Sequence, residues 1–265
     1  MIEIQENTST NELVIGIVGI GKIGQALWSI FDGPYQTLPI DPQAGYDVPA
    51  QCKVDQLHIT IPYNELFVEE VVTWVATTDP FHIIIHSTIV PGTMEALDNV
   101  LKVHDFDCML SYSPCYCWAP HIKDQLMTMS KNLAGYTEDN TRAAAMSMEE
   151  AGMNVTVFST PEALEWAHVF FVWRTALEQY WTNSVHEVSE NKDLNFIEMA
   201  PAYTELMNSG LSQIRSLSRF FPIMTLNHEL PVDKHSAETA ALSLEVLENG
   251  PFKEVITGVM DSFRG

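Results

Sequence analysis

The chain has 265 residues, with 13 Lys and Arg against 35 Asp and Glu, and a formal net charge of −22. Nucleic acids and anionic membrane surfaces are met by clustered Lys and Arg, so this balance excludes both as expected partners. Hydrophobic residues make up 46% of the chain, enough for a packed core and too many for global disorder.

The acidity is spread rather than held in a tail, with net −11 in residues 1–105 and net −11 in residues 106–265. It reads as a solvated acidic surface. Four cysteines (Cys52, Cys108, Cys115, Cys117) are too few for a disulfide scaffold in a chain of this length. Met1 to Glu12 is polar and acidic, unlike a secretory or transit peptide. No apolar run approaches the roughly 18 residues of a membrane span. A cytoplasmic protein with no membrane partner is expected.

In chain order, Leu13 to Val18 reads as a buried parallel strand, followed by a glycine-rich loop and a helix over Gln25 to Phe31. A strand at Gln36 to Ile40 ends at Asp41. Gln56 to Ile61 is the next strand, closed by Pro62. Asn64 is placed to cap a helix through Ala76, with Leu66, Phe67, Val71, Trp74 and Val75 on its inner face. Phe81 to His86 is a strand, a helix follows from Pro91-Gly92-Thr93 to Val103, and Phe106 to Tyr112 is a strand. Short strands at Asn132 to Tyr136 and Asn154 to Phe158 flank a helix over Asn140 to Ala151, with Gly152 at its C-terminal cap.

After Phe158 the pattern becomes helical. Ser159-Thr160-Pro161-Glu162 is a helix start, and the helix it opens is expected to reach Asn191. Trp166, Phe170, Trp173, Leu177 and Trp181 form a stripe along it, and Arg174 and Glu178 stand four apart, at ion-pair spacing. Further helices are expected over Phe196 to Phe220, Ser236 to Glu248 and Pro251 to Phe263. The fold class expected is α/β: a Rossmann-type doubly wound parallel sheet (1–158) followed by an all-α dimerisation domain (159–265).

Gly19-Ile20-Gly21-Lys22-Ile23-Gly24 has the G-x-G-x-x-G spacing between a strand and a helix, and Asp41 ends the next strand 17 residues after Gly24. In a dinucleotide site the three glycines permit a tight turn, close approach of the pyrophosphate and close helix packing. The helix N-terminus offers free N–H groups to the anion, and the carboxylate accepts from the ribose hydroxyls. Asp41 disfavours a 2′-phosphate, so NAD is the expected cofactor. S-adenosylmethionine on a related sheet is the alternative. Ile61, Pro62 and Ser87, at the ends of the next two strands, complete the candidate cofactor contacts.

Ser87-Thr88-Ile89-Val90-Pro91-Gly92-Thr93, between a strand and a helix, resembles the S-T-x-x-P-G-T segment of the nucleotide-sugar dehydrogenases, the UDP-glucose and UDP-mannuronate dehydrogenase family. Leu110-Ser111-Tyr112-Ser113-Pro114 is similar to that family's strand ending in S-P-E. Lys131-Asn132-Leu133-Ala134-Gly135 resembles its short strand ending in Gly, and the long helix from Ala163 resembles its central dimerisation helix. The resemblance covers about residues 13–210 and implies an NAD-dependent oxidoreductase, a small-molecule substrate and a homodimer.

The departures bear on chemistry. Cys115 stands where the family has Glu. Counting from Glu165, the positions of the family's catalytic Lys and Asn hold His168 and Val172. The family's third section, with its Cys nucleophile, has no counterpart, so a two-step oxidation through a thiohemiacetal is not expected. Thr88 and His168 are the candidate catalytic pair for a single hydride transfer, His168 as a base titrating near neutrality. A packed histidine on an apolar helix is its competing reading. Tyr112, Ser113, Cys115, Tyr116, Trp118 and His121 are candidate substrate contacts. Cys115, Cys117 and His121, with Cys108, match no structural zinc spacing, so no metal is expected. A non-catalytic NAD-binding homodimer and a Rossmann transferase using another nucleotide cofactor stand as alternatives.

Overall fold

A computed structural model describes residues 13–49, 52–117, 120–196, 198 and 234–263. They fall into two compact units divided between Val169 and Phe170.

The first unit is built on a seven-stranded sheet: β1 (Val14–Val18), β2 (Gln36–Ile40), β3 (Gln56–Ile59), β4 (His82–Ile85), β5 (Met109–Tyr112), β6 (Ser130–Gly135) and β7 (Asn154–Val157), in the order β2-β1-β3-β4-β5-β6-β7. The first five run parallel, β6 pairs antiparallel with β5, and β7 runs parallel to β6. The expected Rossmann-type sheet is therefore present, and the order reverses at β1, between β2 and β3. Open α/β sheets bind ligands at such a reversal, beyond the carboxyl ends of the strands.

Helices α1 (Lys22–Phe31), α2 (Phe67–Thr78), α3 (Thr93–Val103), α4 (Ile122–Thr128) and α5 (Glu138–Glu150) complete this unit, with the first turns of α6 (Pro161–Asn191). One apolar cluster joins Leu57, Ile59, Ile83, Ile85, Leu110 and Tyr112 to α2 and α3. The other joins Ile15, Ile17, Ile84 and Leu133 to α1, α4 and α5. Alternate residues of the strands feed opposite clusters, as strand geometry demands.

Several local expectations are corrected. The Asn64 carboxamide accepts from Leu66 N (2.7 Å), a turn that delays α2 until Phe67 and leaves Leu66 56% exposed, off the inner face. The strand placed at Phe106 begins only at Met109. His104 ends α3, Asp105 takes φ 56°, and Phe106 N bonds back to Leu101 O (3.0 Å), a Schellman closure that uses Phe106 as a cap. Helix α4 was not expected; its Ile122 and Leu126, four apart, are its buried residues. Gly152 does terminate α5, at φ 88° with Met153 N on Met148 O (3.0 Å).

The second unit holds the remainder of α6, α7 (Lys234–Leu242), a 3₁₀ turn at Ser243–Val246 and α8 (Pro251–Asp261). The helix expected to continue to Glu248 thus changes to 3₁₀ after Leu242. Trp173 is its buried anchor, donating its indole N–H to Ala240 O (2.8 Å) and meeting the Phe252 ring edge-on. Along the aromatic stripe Trp166 and Leu177 are half-buried, whereas Phe170 and Trp181 are 49% and 56% exposed. Arg174 pairs with Glu178 (2.7 Å), as their spacing predicts. Apart from Phe196 and Glu198, the helix expected over Phe196 to Phe220 lies outside the described residues, as does most of the following loop. No helix among the described residues is long and apolar enough to cross a membrane.

Candidate functional site at the carboxyl edge of the sheet

Gly19 N donates to Ile40 O (2.9 Å), fixing the turn after β1, and Gly19 takes φ 89°. The Gly19 carbonyl is held by the Thr60 hydroxyl (2.5 Å) and faces Gly24, where a Cβ would lie 1.9 Å from that oxygen. Only glycine lets α1 start this close to β1. Gly21 is the opposite case: nothing lies within 4 Å of its Cβ position.

Gly21 is also the N-cap of α1, with no side chain capping it and no acidic residue in the first turn. The N–H groups of Lys22, Ile23 and Gly24 are the ones an α-helix leaves without intrahelical partners. This end carries the positive pole of the helix dipole, and the exposed Lys22 adds a charge. Asp41, after β2, accepts Ile20 N at Oδ2 (2.9 Å) and Ala44 N at Oδ1 (3.1 Å). Each oxygen keeps a further lone pair for a hydroxyl donor. Open space before Gly21, an uncapped helix end and an acceptor-only carboxylate beside them fit the diphosphate and ribose of a dinucleotide. Ile20 is buried and Ile23 half-buried behind the loop. Ile61 is half-buried and Pro62 exposed, and the Ser87 hydroxyl donates to Ile61 O (2.6 Å). All the expected cofactor residues therefore share the carboxyl edge of β1 to β4.

Thr88 and His168 meet, although 80 residues apart: Thr88 Oγ1 and His168 Nε2 are 2.9 Å apart. The cause is Glu165, one helical turn before His168. Its carboxylate accepts Gly92 N at Oε2 (2.9 Å) and Met94 N at Oε1 (2.8 Å), the backbone at the start of α3. Glu165 thus caps α3 from α6 and holds the segment carrying Thr88 against the helix carrying His168. Burial raises the Glu165 carboxyl to about 7, against the opposing pull of those two N–H groups. The Tyr116 ring stands edge-on to His168, with centroids 4.7 Å apart.

His168 does not titrate near neutrality. Burial, and then the charge of Lys131, lower it to about 3, so its imidazole is neutral at ordinary pH. Of the expected substrate contacts, Tyr112, Ser113 and Cys115 are buried, the Ser113 hydroxyl donating to Asn132 O (2.8 Å). His121 is exposed beside Asp124, Tyr116 is half-buried, and Trp118 lies outside the described residues. Among the described residues no three His, Cys, Asp or Glu side chains converge to hold a metal ion.

A polar strip crosses the sheet face beneath α1, and sequence reasoning missed it. His58 Nδ1 meets His86 Nε2 (2.8 Å), His86 Nδ1 donates to Ser113 O (2.7 Å), and the Lys131 ammonium donates to that carbonyl too. His82 Nε2 meets the Ser111 hydroxyl (2.9 Å). Burial is the first cause in each case of a lowered imidazole: His58 falls to about 3, His82 to about 4, and His86 lies well below the ordinary value. Strand alternation held a signal for Lys131, since it shares a face with the buried Leu133.

No family model matches this sequence, and no curated protein matches it. Solved structures do match in fold. The 3-hydroxyisobutyrate dehydrogenase of Mycobacterium tuberculosis, solved with L-serine, superposes at TM-score 0.65 and 14% identity, over 95% of this chain and 94% of that one. The UDP-D-ManNAc dehydrogenase of Pyrococcus horikoshii superposes at 0.66 and 16%, over 95% of this chain and 69% of that one. The UDP-glucose dehydrogenase of Pyrobaculum islandicum superposes at 0.65 and 12%, over 97% and 68%. The chain has the fold shared by UDP-sugar dehydrogenases and 3-hydroxyisobutyrate dehydrogenase. It matches nearly the whole of the latter and about two thirds of the former.

The four buried histidines set a pH dependence. Their folded pKa values lie below the unfolded value of 6.5, so the unfolded chain binds more protons and stability falls as pH drops below that value. Glu165, raised from 4.5 to about 7, works the other way across that window and offsets about one of the four. Thermal unfolding is expected to show a net loss on the order of 5 kcal/mol between pH 7 and pH 5. Stability that is flat or rising over that range would contradict the neutral-histidine arrangement.

Proposed function

We propose that the chain binds NAD at the carboxyl edge of its sheet and is an oxidoreductase of the dehydrogenase kind, acting by a single hydride transfer on a small hydroxylated substrate. The observation that carries this reading is the uncapped N-terminus of α1, with open space before Gly21 and the Asp41 carboxylate beside it. Asp41 favours free ribose hydroxyls over a 2′-phosphate, which its charge would repel, and so supports NAD over NADP. When bound, the nicotinamide supplies hydride acceptance or donation.

This chain's residues would do the rest. The loop N–H groups of α1 hold the diphosphate, with Lys22 as the nearby cation. Thr88, fixed by His168, presents its hydroxyl toward a substrate oxygen. Two features favour a small substrate over a UDP-sugar. The match to 3-hydroxyisobutyrate dehydrogenase extends over nearly its whole length, and the first 105 residues offer only Lys22, Lys53 and Lys102 against a second diphosphate.

A specific observation favours a second reading, NAD binding without turnover. A base lowered to about 3 by burial is a weak proton acceptor at neutral pH, and catalytic bases work best near the operating pH. Calorimetric titration with NADH, NADPH and S-adenosylmethionine is expected to give binding of NADH, weakened at least tenfold in Asp41→Ala. Selective binding of S-adenosylmethionine would instead support a transferase. With NAD and a panel of 2- and 3-hydroxy acids, NADH absorbance that rises in the wild type and fails in His168→Ala supports catalysis. Intact binding with no turnover on any of them supports the second reading.

We also propose that the chain works as a homodimer through α6. Phe170, Tyr180 and Trp181 are large aromatics roughly half exposed on that helix, and aromatic surfaces are enriched in obligate interfaces. Sedimentation is expected to give a dimer at micromolar concentration; a monomer would overturn this.

A further inference from the structure

Lys131, on β6, is 3% exposed, yet among the described residues no ion pair includes it. Its Nζ donates to three acceptors on the segment after β5: the carbonyls of Ser113 and Pro114 (the latter at 2.7 Å) and the Cys115 sulfur at 3.2 Å. A lysine nitrogen and a cysteine sulfur are thus held in contact, out of bulk water, by two carbonyl anchors that leave the Nζ–Sγ approach fixed. Neither residue has a role in the proposed cofactor site.

The lysine is not sealed off. Lys131 lines a narrow recess with Tyr116, Cys117 and Ser130, whose free volume of about 10 Å³ is on the scale of one water-sized or diatomic molecule. Cys117, the other thiol nearby, is a poor competitor for oxidised sulfur. Burial, and then the proximity of Cys115, push its thiol up to about 12, which suppresses the thiolate that attacks.

We propose that Cys115 and Lys131 are a redox-modification site, at which dioxygen joins them through a single oxygen as a covalent Sγ–O–Nζ bridge. The thiol loses its hydrogen, and the Lys131 ammonium, after releasing one proton to solvent, loses one more, forming an S–O and an O–N bond. The O–O bond breaks, one oxygen stays in the bridge, and the other leaves as water with the two hydrogens. Sulfur and nitrogen each give up two electrons, and dioxygen accepts all four. Sulfur at this level of oxidation is returned to the thiol by thiol reductants. The bridge fastens β6 to the segment carrying Tyr116, whose ring stands against His168, so the oxidation state of this pair reaches the candidate site. The proposal does not depend on NAD binding.

The test uses the full chain, reduced, freed of reductant and held in air-saturated buffer, then thiol-blocked and digested. Mass spectrometry is expected to find the Cys115 peptide joined to the Lys131 peptide, heavier than their sum by one oxygen and lighter by two hydrogens. Dithiothreitol should separate them. The product should persist in Cys117→Ser and vanish in Cys115→Ala. A Cys115–Cys117 disulfide, a sulfinic acid on Cys115 with Lys131 unmodified, or an unchanged Cys115 would each overturn the proposal.

Discussion

Gly24 packs against the Gly19 carbonyl so closely that a Cβ would sit 1.9 Å from its oxygen, and the carboxyl edge of the sheet is organised around that contact. It brings the N-terminus of α1 to the end of β1, at the point where strand order reverses. Any side chain at position 24 would push the helix outward and withdraw the free N–H groups from the crevice. The Thr60 hydroxyl, which holds the same carbonyl, ties the contact to β3. The chain's charge adds a constraint. With so few basic residues in this half, an anionic ligand must be held by backbone N–H groups and the helix dipole, with Lys22 alone nearby. Asp41 is bonded to the loop through Ile20 N and leaves that pole uncapped.

Glu165 plays the corresponding part at the other end of the edge. A buried carboxylate is costly unless its oxygens accept hydrogen bonds, and this one accepts two from the start of α3. The result locks the long helix against the Thr88 segment and fixes the Thr88–His168 contact. The same burial that makes the lock rigid strips His168 of its basicity. Where the resemblance leads one to expect a lysine, a cation would need solvent, a carboxylate or a set of carbonyl acceptors such as the one that holds Lys131. A neutral imidazole needs none of these, and it packs against Tyr116.

Much of the fold was legible because the parallel strands are short, apolar and punctuated by glycine or proline. Val14 to Val18, the glycine loop and Asp41 could be placed from spacing alone. The lower resolution of the sequence reading appears where local polar groups compete with the hydrophobic pattern, as Asn64 does by turning the chain before α2 and Asp105 by closing α3. The polar strip was illegible for another reason. His58, His86 and Lys131 come from three strands that sequence does not pair, and each looks unpartnered until the sheet aligns them. Strand alternation puts Lys131 on the Leu133 face, but nothing in the order of residues says that the carbonyls of Ser113 and Pro114 wait there. Cys115 was read as a substrate contact because of its place after Ser-Pro; folding turns that place inward.

The central claim is that the free N-terminus of α1 is the anion site. Backbone amide NMR of isotope-labelled protein during NADH addition tests it most directly. The account predicts saturable shifts at the amides of Lys22, Ile23 and Gly24, with those of Gly92 and Met94, already engaged by Glu165, little changed. Absence of any shift at the α1 amides under saturating NADH, or shifts confined to another part of the chain, would contradict it.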